Sequence, residues 1–124
     1  MKTNLIAGKS ILLVDDEIDL LEIIEEDLVS HGCVVAKATN GLDALKLAKA
    51  QVFDFILSDI RMPGLDGTEL LNKLKAESEN KTKFIFLSGQ SNFSEEELKK
   101  MGASAIVNKP FDFDHLISTL IKFS

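Results

Sequence analysis

The chain has 124 residues, a formal net charge of −6 and one cysteine. That length suits one domain with room for a real core, and the acidic balance argues against binding nucleic acid through phosphate contacts, which needs clustered Lys and Arg. Cys33 alone cannot form an intramolecular disulfide, so nothing points to an oxidising compartment. Apolar runs such as Ile11–Val14 and Phe84–Leu87 are too short to span a bilayer, and Met1–Ser10 lacks the apolar segment of a secretory signal. A cytoplasmic protein without membrane contact is expected.

Short apolar runs alternate with longer amphipathic stretches, five times over. Ile11–Val14 reads as a buried strand ending at Asp15-Asp16. From about Glu17 to His31, Ile18, Leu21, Ile24 or Glu25, and Leu28 recur at helical spacing, and Gly32 closes that helix. Val34–Thr39 is a second strand, and Ala44, Leu45 and Ala48 mark the helix after Asn40-Gly41. Phe53–Ser58 is a third strand, running into Asp59. Pro63, Gly64 and Gly67 keep the next segment a loop, after which Leu70, Leu71 and Leu74 predict a helix.

Phe84–Ser88 is the fourth strand. The short helix after it has Ser94 as N-cap and Glu97 to complete a capping box. Ala105–Asn108 is the fifth strand, interrupted by Pro110. Phe113, Leu116, Ile117, Leu120 and Ile121 then give a pronounced helical stripe. Strands alternating strictly with helices predict an α/β fold, a parallel sheet with helices on both faces. No linker or repeat divides the chain, so a single domain over 1–124 is expected, with an ordered core of about 9–123.

In an open parallel sheet, ligands bind outside the carboxyl ends of the strands. Strand one ends in Asp15-Asp16, strand three in Asp59, strand four in Ser88 and strand five in Lys109. At roughly 5 Å and an effective dielectric near 20, each pair of these carboxylates costs about 3 kcal/mol in repulsion. A cation is implied, and an all-oxygen site with few protein ligands suits Mg²⁺. One carboxylate could then act as a nucleophile toward phosphorus, with Lys109 neutralising a phosphate oxygen and the Ser88 hydroxyl donating to another. Taken singly, each residue has an ordinary reading: acids near a helix N-terminus, a turn aspartate, a strand end, a solvated lysine. Their joint occurrence at four strand ends does not.

Other residues read as structure. Cys33 is a small buried hydrophobe, and Phe53, Phe55, Phe84 and Phe86 are core. His31 and His115 are isolated and exposed, without metal-ligand company. Glu95-Glu96-Glu97 with Lys99-Lys100 is a solvated helix face with i,i+4 pairs.

The chain closely resembles the receiver domain of two-component response regulators, the group that includes the chemotaxis protein CheY. The resemblance covers nearly the whole chain. It rests on Val14-Asp15-Asp16-Glu17, on the run from Asp59-Ile60-Arg61-Met62-Pro63-Gly64 through Leu65-Asp66-Gly67, on Ser88-Gly89, and on Lys109-Pro110-Phe111. Asn40-Gly41-Leu42-Asp43-Ala44-Leu45 also looks like the family's second helix start.

The resemblance implies a (βα)₅ doubly wound fold with strand order 2-1-3-4-5. It implies a phosphoryl group accepted on Asp59 from a sensor histidine kinase, a phosphotransfer protein or a small acyl phosphate. Asp15, Asp16, Asp59 and the main-chain carbonyl of Arg61 would hold Mg²⁺, while Ser88 and Lys109 would contact the phosphoryl oxygens. Arg61 and Gln90 occupy positions that tune phosphoryl lifetime in the family. The Lys109–Pro110 bond is expected to be cis. Activity would be limited to self-phosphorylation and slow autodephosphorylation, so the chain is read as a switch rather than an enzyme. Its output would be contact with a downstream protein, or a phosphorylation-dependent dimer.

One departure stands out. Three residues before the lysine the family usually carries Tyr or Phe, which turns inward on phosphorylation; here Ile106 stands there. Phosphorylation is expected to survive this change; for the output step an isoleucine can still repack, but it has no ring to swing and no hydroxyl to pair. The alternatives are a degenerate receiver serving as a constitutive docking module, or the receiver part of a longer regulator. A haloacid-dehalogenase-type phosphatase would need Asp-x-Asp after the first strand, and a flavodoxin would need a hydroxyl-rich loop there. Asp15-Asp16-Glu17 supplies neither.

Overall fold

The computed structural model describes residues 5–76, 81–89 and 93–124. Runs of branched and aromatic residues form β1 (Ser10–Val14), β2 (Val34–Ala38), β3 (Phe55–Asp59), β4 (Lys83–Ser88) and β5 (Ala105–Asn108). Alternating with them are α1 (Ile18–Ser30), α2 (Gly41–Ala50), α3 (Gly67–Lys75), α4 (Glu95–Met101) and α5 (Phe113–Phe123). Every strand pairing is parallel, in the order β2-β1-β3-β4-β5, as the alternation and the family resemblance predict.

Successive strand residues point to opposite faces of a sheet. Ile11 and Leu13 therefore join Leu21, Ile24 and Leu28 of α1 and Leu116 and Leu120 of α5. Leu12 and Val14 face the other way, into a second cluster with Ala44, Leu70, Leu71, Leu74 and Leu98 from α2, α3 and α4. Burial on both sides is why the central strands read as unbroken apolar runs. Phe53, Phe55, Phe84 and Phe86 are all buried, as expected of core residues. Ile6 also enters the core, beneath the start of β1, where the Cys33 thiol lies 3.4 Å from its carbonyl oxygen. Burial pushes that thiol's pKa up, which suits a structural cysteine. Among the described residues no helix is long and apolar enough to cross a membrane.

Several boundaries move. β3 starts at Phe55 rather than Phe53 and includes Asp59. Phe53 is buried but precedes the strand, because Asp54 is turned toward β1. Its carboxylate accepts from the N–H and hydroxyl of Ser10 at 2.9 and 3.3 Å. β2 stops at Ala38, one residue short of expectation. Ile18, expected on the buried stripe of α1, is 59% exposed, since the helix's first turn stands beyond the strand ends. His31 is half-buried rather than exposed, its Nδ1 lying 2.9 Å from the Asp27 carbonyl oxygen. Gly32 follows the helix at φ 89°, in the left-handed region that glycine enters freely.

The capping box expected at Ser94 and Glu97 is present, with both hydrogen bonds formed at 2.8 and 3.1 Å. α3 carries the same device: Asp66 accepts from the Glu69 N–H at 3.0 Å, and Glu69 accepts from the Asp66 N–H at 3.0 Å. Asp66→Ala is expected to cost about 1 kcal/mol in urea unfolding, and Asp66→Ser to retain most of that stability. Equal losses in the two variants would show that the cap is not the source.

Candidate functional site

Strand order reverses at β1, whose neighbours are β2 and β3, so the carboxyl ends of β1 and β3 flank a cleft between outgoing connections. Asp15 follows β1 directly. Its N–H donates to the Ala38 carbonyl at 3.2 Å, which ties it to the end of β2. Its Oδ1 accepts from the Glu17 N–H at 2.9 Å, and its Oδ2 accepts from the Lys109 ammonium at 2.9 Å. The Asp15 side chain is wholly buried, whereas Asp16 is exposed.

Asp59, the last residue of β3, is half-buried, with the Ile60 N–H donating to its Oδ1 at 2.8 Å. Its Oδ2 lies 3.6 Å from the Lys109 ammonium. The preceding Ser58 is fully buried and donates its hydroxyl to the Asp59 carbonyl at 2.8 Å, steadying the strand end from below. Carboxylate oxygens of Asp15, Asp16 and Asp59, one from each, all lie within 4.8 Å of one another.

Lys109 reaches this cluster from the end of β5. Its N–H donates to the Ser88 carbonyl at 2.6 Å, and its bond to Pro110 is cis, as expected. Ser88 is buried at the end of β4. Arg61 lies exposed two residues past Asp59, and Gln90 falls outside the described residues. Ile106 is half-buried on β5, packed against the cluster that holds Phe84 and Phe86. The structure therefore brings Asp15, Asp16, Asp59 and Lys109 into one cluster, with Ser88 tied to Lys109 through the main chain and Arg61 two residues beyond Asp59.

Glu17 belongs to the motif after the first strand, but nothing in the sequence assigned it a role at the site. Its carboxylate lies 3.7 Å from the Lys109 ammonium while 65% exposed. The signal available was a third consecutive acid after β1, but only the fold shows that Lys109 faces it.

Burial raises the Asp59 pKa, and the negative charges of Asp15 and Asp16 add to that; Lys109 and the Ile60 N–H pull the other way without cancelling it. Burial also works against the Lys109 ammonium, but its hydrogen bond to Asp15 and the charges of Asp15, Asp59 and Glu17 outweigh burial and raise its pKa. One ammonium thus faces three carboxylates, those of Asp15, Glu17 and Asp59, and Asp16 adds a fourth negative charge to the cluster. A cluster so short of positive charge, offering only hard oxygen donors, fits a small divalent cation such as Mg²⁺.

The family model described as the response regulator receiver domain matches residues 11–121. A curated relative, the probable transcriptional regulator ycf29 of Porphyra purpurea, is 39% identical over 114 residues, covering 90% of this chain and 54% of that protein. The chain thus spans about half the length of that relative. Sporulation initiation phosphotransferase F of Bacillus subtilis is 31% identical over 116 residues, covering 94% of each chain. Among solved structures, response regulator TrrA of Thermotoga maritima in complex with Mg²⁺–BeF superposes with a TM-score of 0.84 at 32% identity, covering 94% of this chain and 99% of that one. With acids at the ends of β1 and β3, a lysine reaching them from β5 and a family match running from the first strand to the last helix, this chain belongs to the response regulator receiver domains of two-component signalling.

Proposed function

We propose that the chain is a single receiver domain over residues 1–124 that accepts a phosphoryl group on Asp59 and works as a signalling switch. The observation that carries this reading is the set of three carboxylates within 4.8 Å, with the Lys109 ammonium 2.9 Å from Asp15 and 3.6 Å from Asp59. Asp15, Asp16, Asp59 and the main-chain carbonyl of Arg61 would hold Mg²⁺. When bound, the ion neutralises charge on the incoming phosphoryl oxygens. Support for Mg²⁺ comes from TrrA, whose structure was solved with Mg²⁺–BeF.

In this reading an Asp59 carboxylate oxygen attacks phosphorus, and the bond from phosphorus to the donor breaks. The donor is a phosphohistidine of a sensor histidine kinase or phosphotransfer protein, or a small acyl phosphate, and the leaving group departs with the bonding electrons. The Ile60 N–H holds Asp59 Oδ1 in place. Lys109 reaches the phosphoryl oxygens by leaving its contact with Asp15, and Ser88 donates a hydrogen bond to another of them. The phosphorylated face then binds a downstream protein or a second copy. With Ile106 in place of an aromatic side chain, the output surface changes through aliphatic repacking on β5.

Intact mass after incubation with acetyl phosphate and Mg²⁺ tests the reading. One phosphoryl adduct is expected on the wild type, none on Asp59→Asn, and none when EDTA replaces Mg²⁺. No adduct on the wild type, with either acetyl phosphate or a phosphorylated histidine donor, would overturn the switch and leave a docking module. Labelling of Asp59→Asn at the wild-type level would remove Asp59 as acceptor.

A further inference from the structure

The connection from β3 to α3 contains the third proposed source of metal ligands, the Arg61 carbonyl. It is held by side chains that alternate inward and outward: Ile60, Met62 and Leu65 are buried in the second core cluster, while Arg61, Pro63 and Gly64 are exposed. Two buried glycines grip its ends. A Cβ on Gly67 would collide with the Asp59 carbonyl oxygen and come within 2.9 Å of the Phe86 ring. The Gly67 N–H also donates to the Ile60 carbonyl at 2.7 Å.

At the far end the contact comes from another element. A Cβ on Gly41, the first residue of α2, would collide with the Leu65 carbonyl oxygen and lie 2.8 Å from both the Leu65 carbonyl carbon and its Cβ. Gly41 is held there from its own side. Asn40 caps α2 by accepting from the Asp43 N–H at 2.8 Å, and Ala38, just upstream, accepts the Asp15 N–H at 3.2 Å. Residues 38–41 therefore touch both carriers of the carboxylate cluster: Asp15 through Ala38, and the loop after Asp59 through Gly41.

We propose that Gly41 is a positioning residue for the metal site, its bare Cα setting how closely the β3–α3 loop approaches Asp15. This rests on the Mg²⁺ reading above. An alanine at 41 must push Leu65 away by roughly 1.5 Å to restore ordinary van der Waals separation. Leu65 is joined to Arg61 by only three residues, of which Met62 is buried in the same core cluster, so the displacement passes to the Arg61 carbonyl. Neither Gly41 nor Leu65 is a metal ligand in this scheme. Their effect is on the loop, as with outer contacts that orient metal ligands elsewhere.

The test is a Mg²⁺ titration of ¹⁵N-labelled, unphosphorylated full chain, followed by amide shifts, with thermal stability measured separately in EDTA. Gly41→Ala is expected to weaken Mg²⁺ binding about tenfold, the lower bound for loss of an orienting contact. The control is Ile6→Ala, which removes a buried side chain beneath the opposite end of β1. It should lose thermal stability and keep the wild-type Kd. Leu65→Ala loosens the same loop by removing its anchor rather than by a clash, and should weaken binding in the same direction. This keeps the proposal testable should Gly41→Ala not fold.

A wild-type Kd in Gly41→Ala, or in Leu65→Ala, overturns the proposal. So does equal weakening in Ile6→Ala, which would mean that affinity follows stability alone. Absence of Mg²⁺ binding by the wild type would instead overturn the functional reading on which the proposal stands.

Discussion

Replacing Lys109 with alanine is expected to destabilise the metal-free protein by about 3 kcal/mol. The ammonium lies 2.9 Å from an Asp15 carboxylate whose side chain is wholly buried, so its removal leaves a buried negative charge without its compensating cation. The Glu17 N–H still donates to Asp15 Oδ1, so hydrogen bonding to that oxygen survives while the charge partner is lost. The figure sits at the low end for a broken buried pair because the Lys109 side chain is 17% exposed, and water can enter where it stood. Asp15 and its neighbours raise the Lys109 pKa against the effect of burial. A lysine raised in this way contributes stability that is fully present below its unfolded value of about 10.4 and is lost as pH rises through the folded one. The penalty should therefore be undiminished at neutral pH.

Urea unfolding in EDTA measures it. The same variant should bind Mg²⁺ more tightly than the wild type, because the carboxylates lose a competing cation. Added Mg²⁺ should accordingly recover more stability in the variant than it adds to the wild type. Unchanged stability in EDTA would mean that Lys109 does not hold the acidic cluster together.

Asp59→Asn is expected to act in two opposite directions. Phosphoryl labelling falls to nothing, because the amide is not a nucleophile toward phosphorus. The metal-free protein becomes more stable by about 1 kcal/mol, the size of gain that removing an unfavourable charge commonly gives. The reason is electrostatic: burial, then the charges of Asp15 and Asp16, make the Asp59 carboxylate unfavourable despite Lys109.

A carboxyl with a raised folded pKa holds its proton more firmly in the folded chain than in the unfolded one, where it titrates near 3.9. Stability linked to Asp59 is thus complete below about pH 4 and declines as pH rises through the folded value. The advantage of asparagine should vanish near about pH 3, below the unfolded value, and grow as pH rises through the folded one. A variant less stable than the wild type at neutral pH in EDTA would show that the Lys109 contact outweighs burial and repulsion.

Much of this architecture is written locally. Five apolar runs separated by five amphipathic stretches are a periodicity pattern, and β5 lies where it was expected, over Ala105–Asn108. The Ser94–Glu97 capping box is a short-range signal and formed as predicted. The Asp66–Glu69 box is an equally short-range signal, and α3 begins at Gly67, where Asp66-Gly67 reads as loop and helix start. Where local reading failed, a distant partner was responsible. Phe53 is as apolar as a strand residue, yet it precedes β3 because Asp54 is engaged by Ser10, 44 positions away in sequence.

The candidate site divides along the same line. That Asp15, Asp16, Asp59, Ser88 and Lys109 stand at strand ends followed from hydrophobic runs giving way to polar residues, because a chain leaving a buried sheet must turn into water. How these groups meet did not follow. That Lys109 spans Asp15, Glu17 and Asp59, that Ser58 supports the Asp59 carbonyl, and that Gly41 rests on Leu65 are distances between segments far apart in the chain. The sequence alone determined the elements, their alternation and the chemistry available at their ends, because propensity and periodicity act over a few residues. Only the tertiary structure decided which charges face one another and how closely the loops approach, because those depend on crossovers that bring residues 94 positions apart to a single 2.9 Å contact.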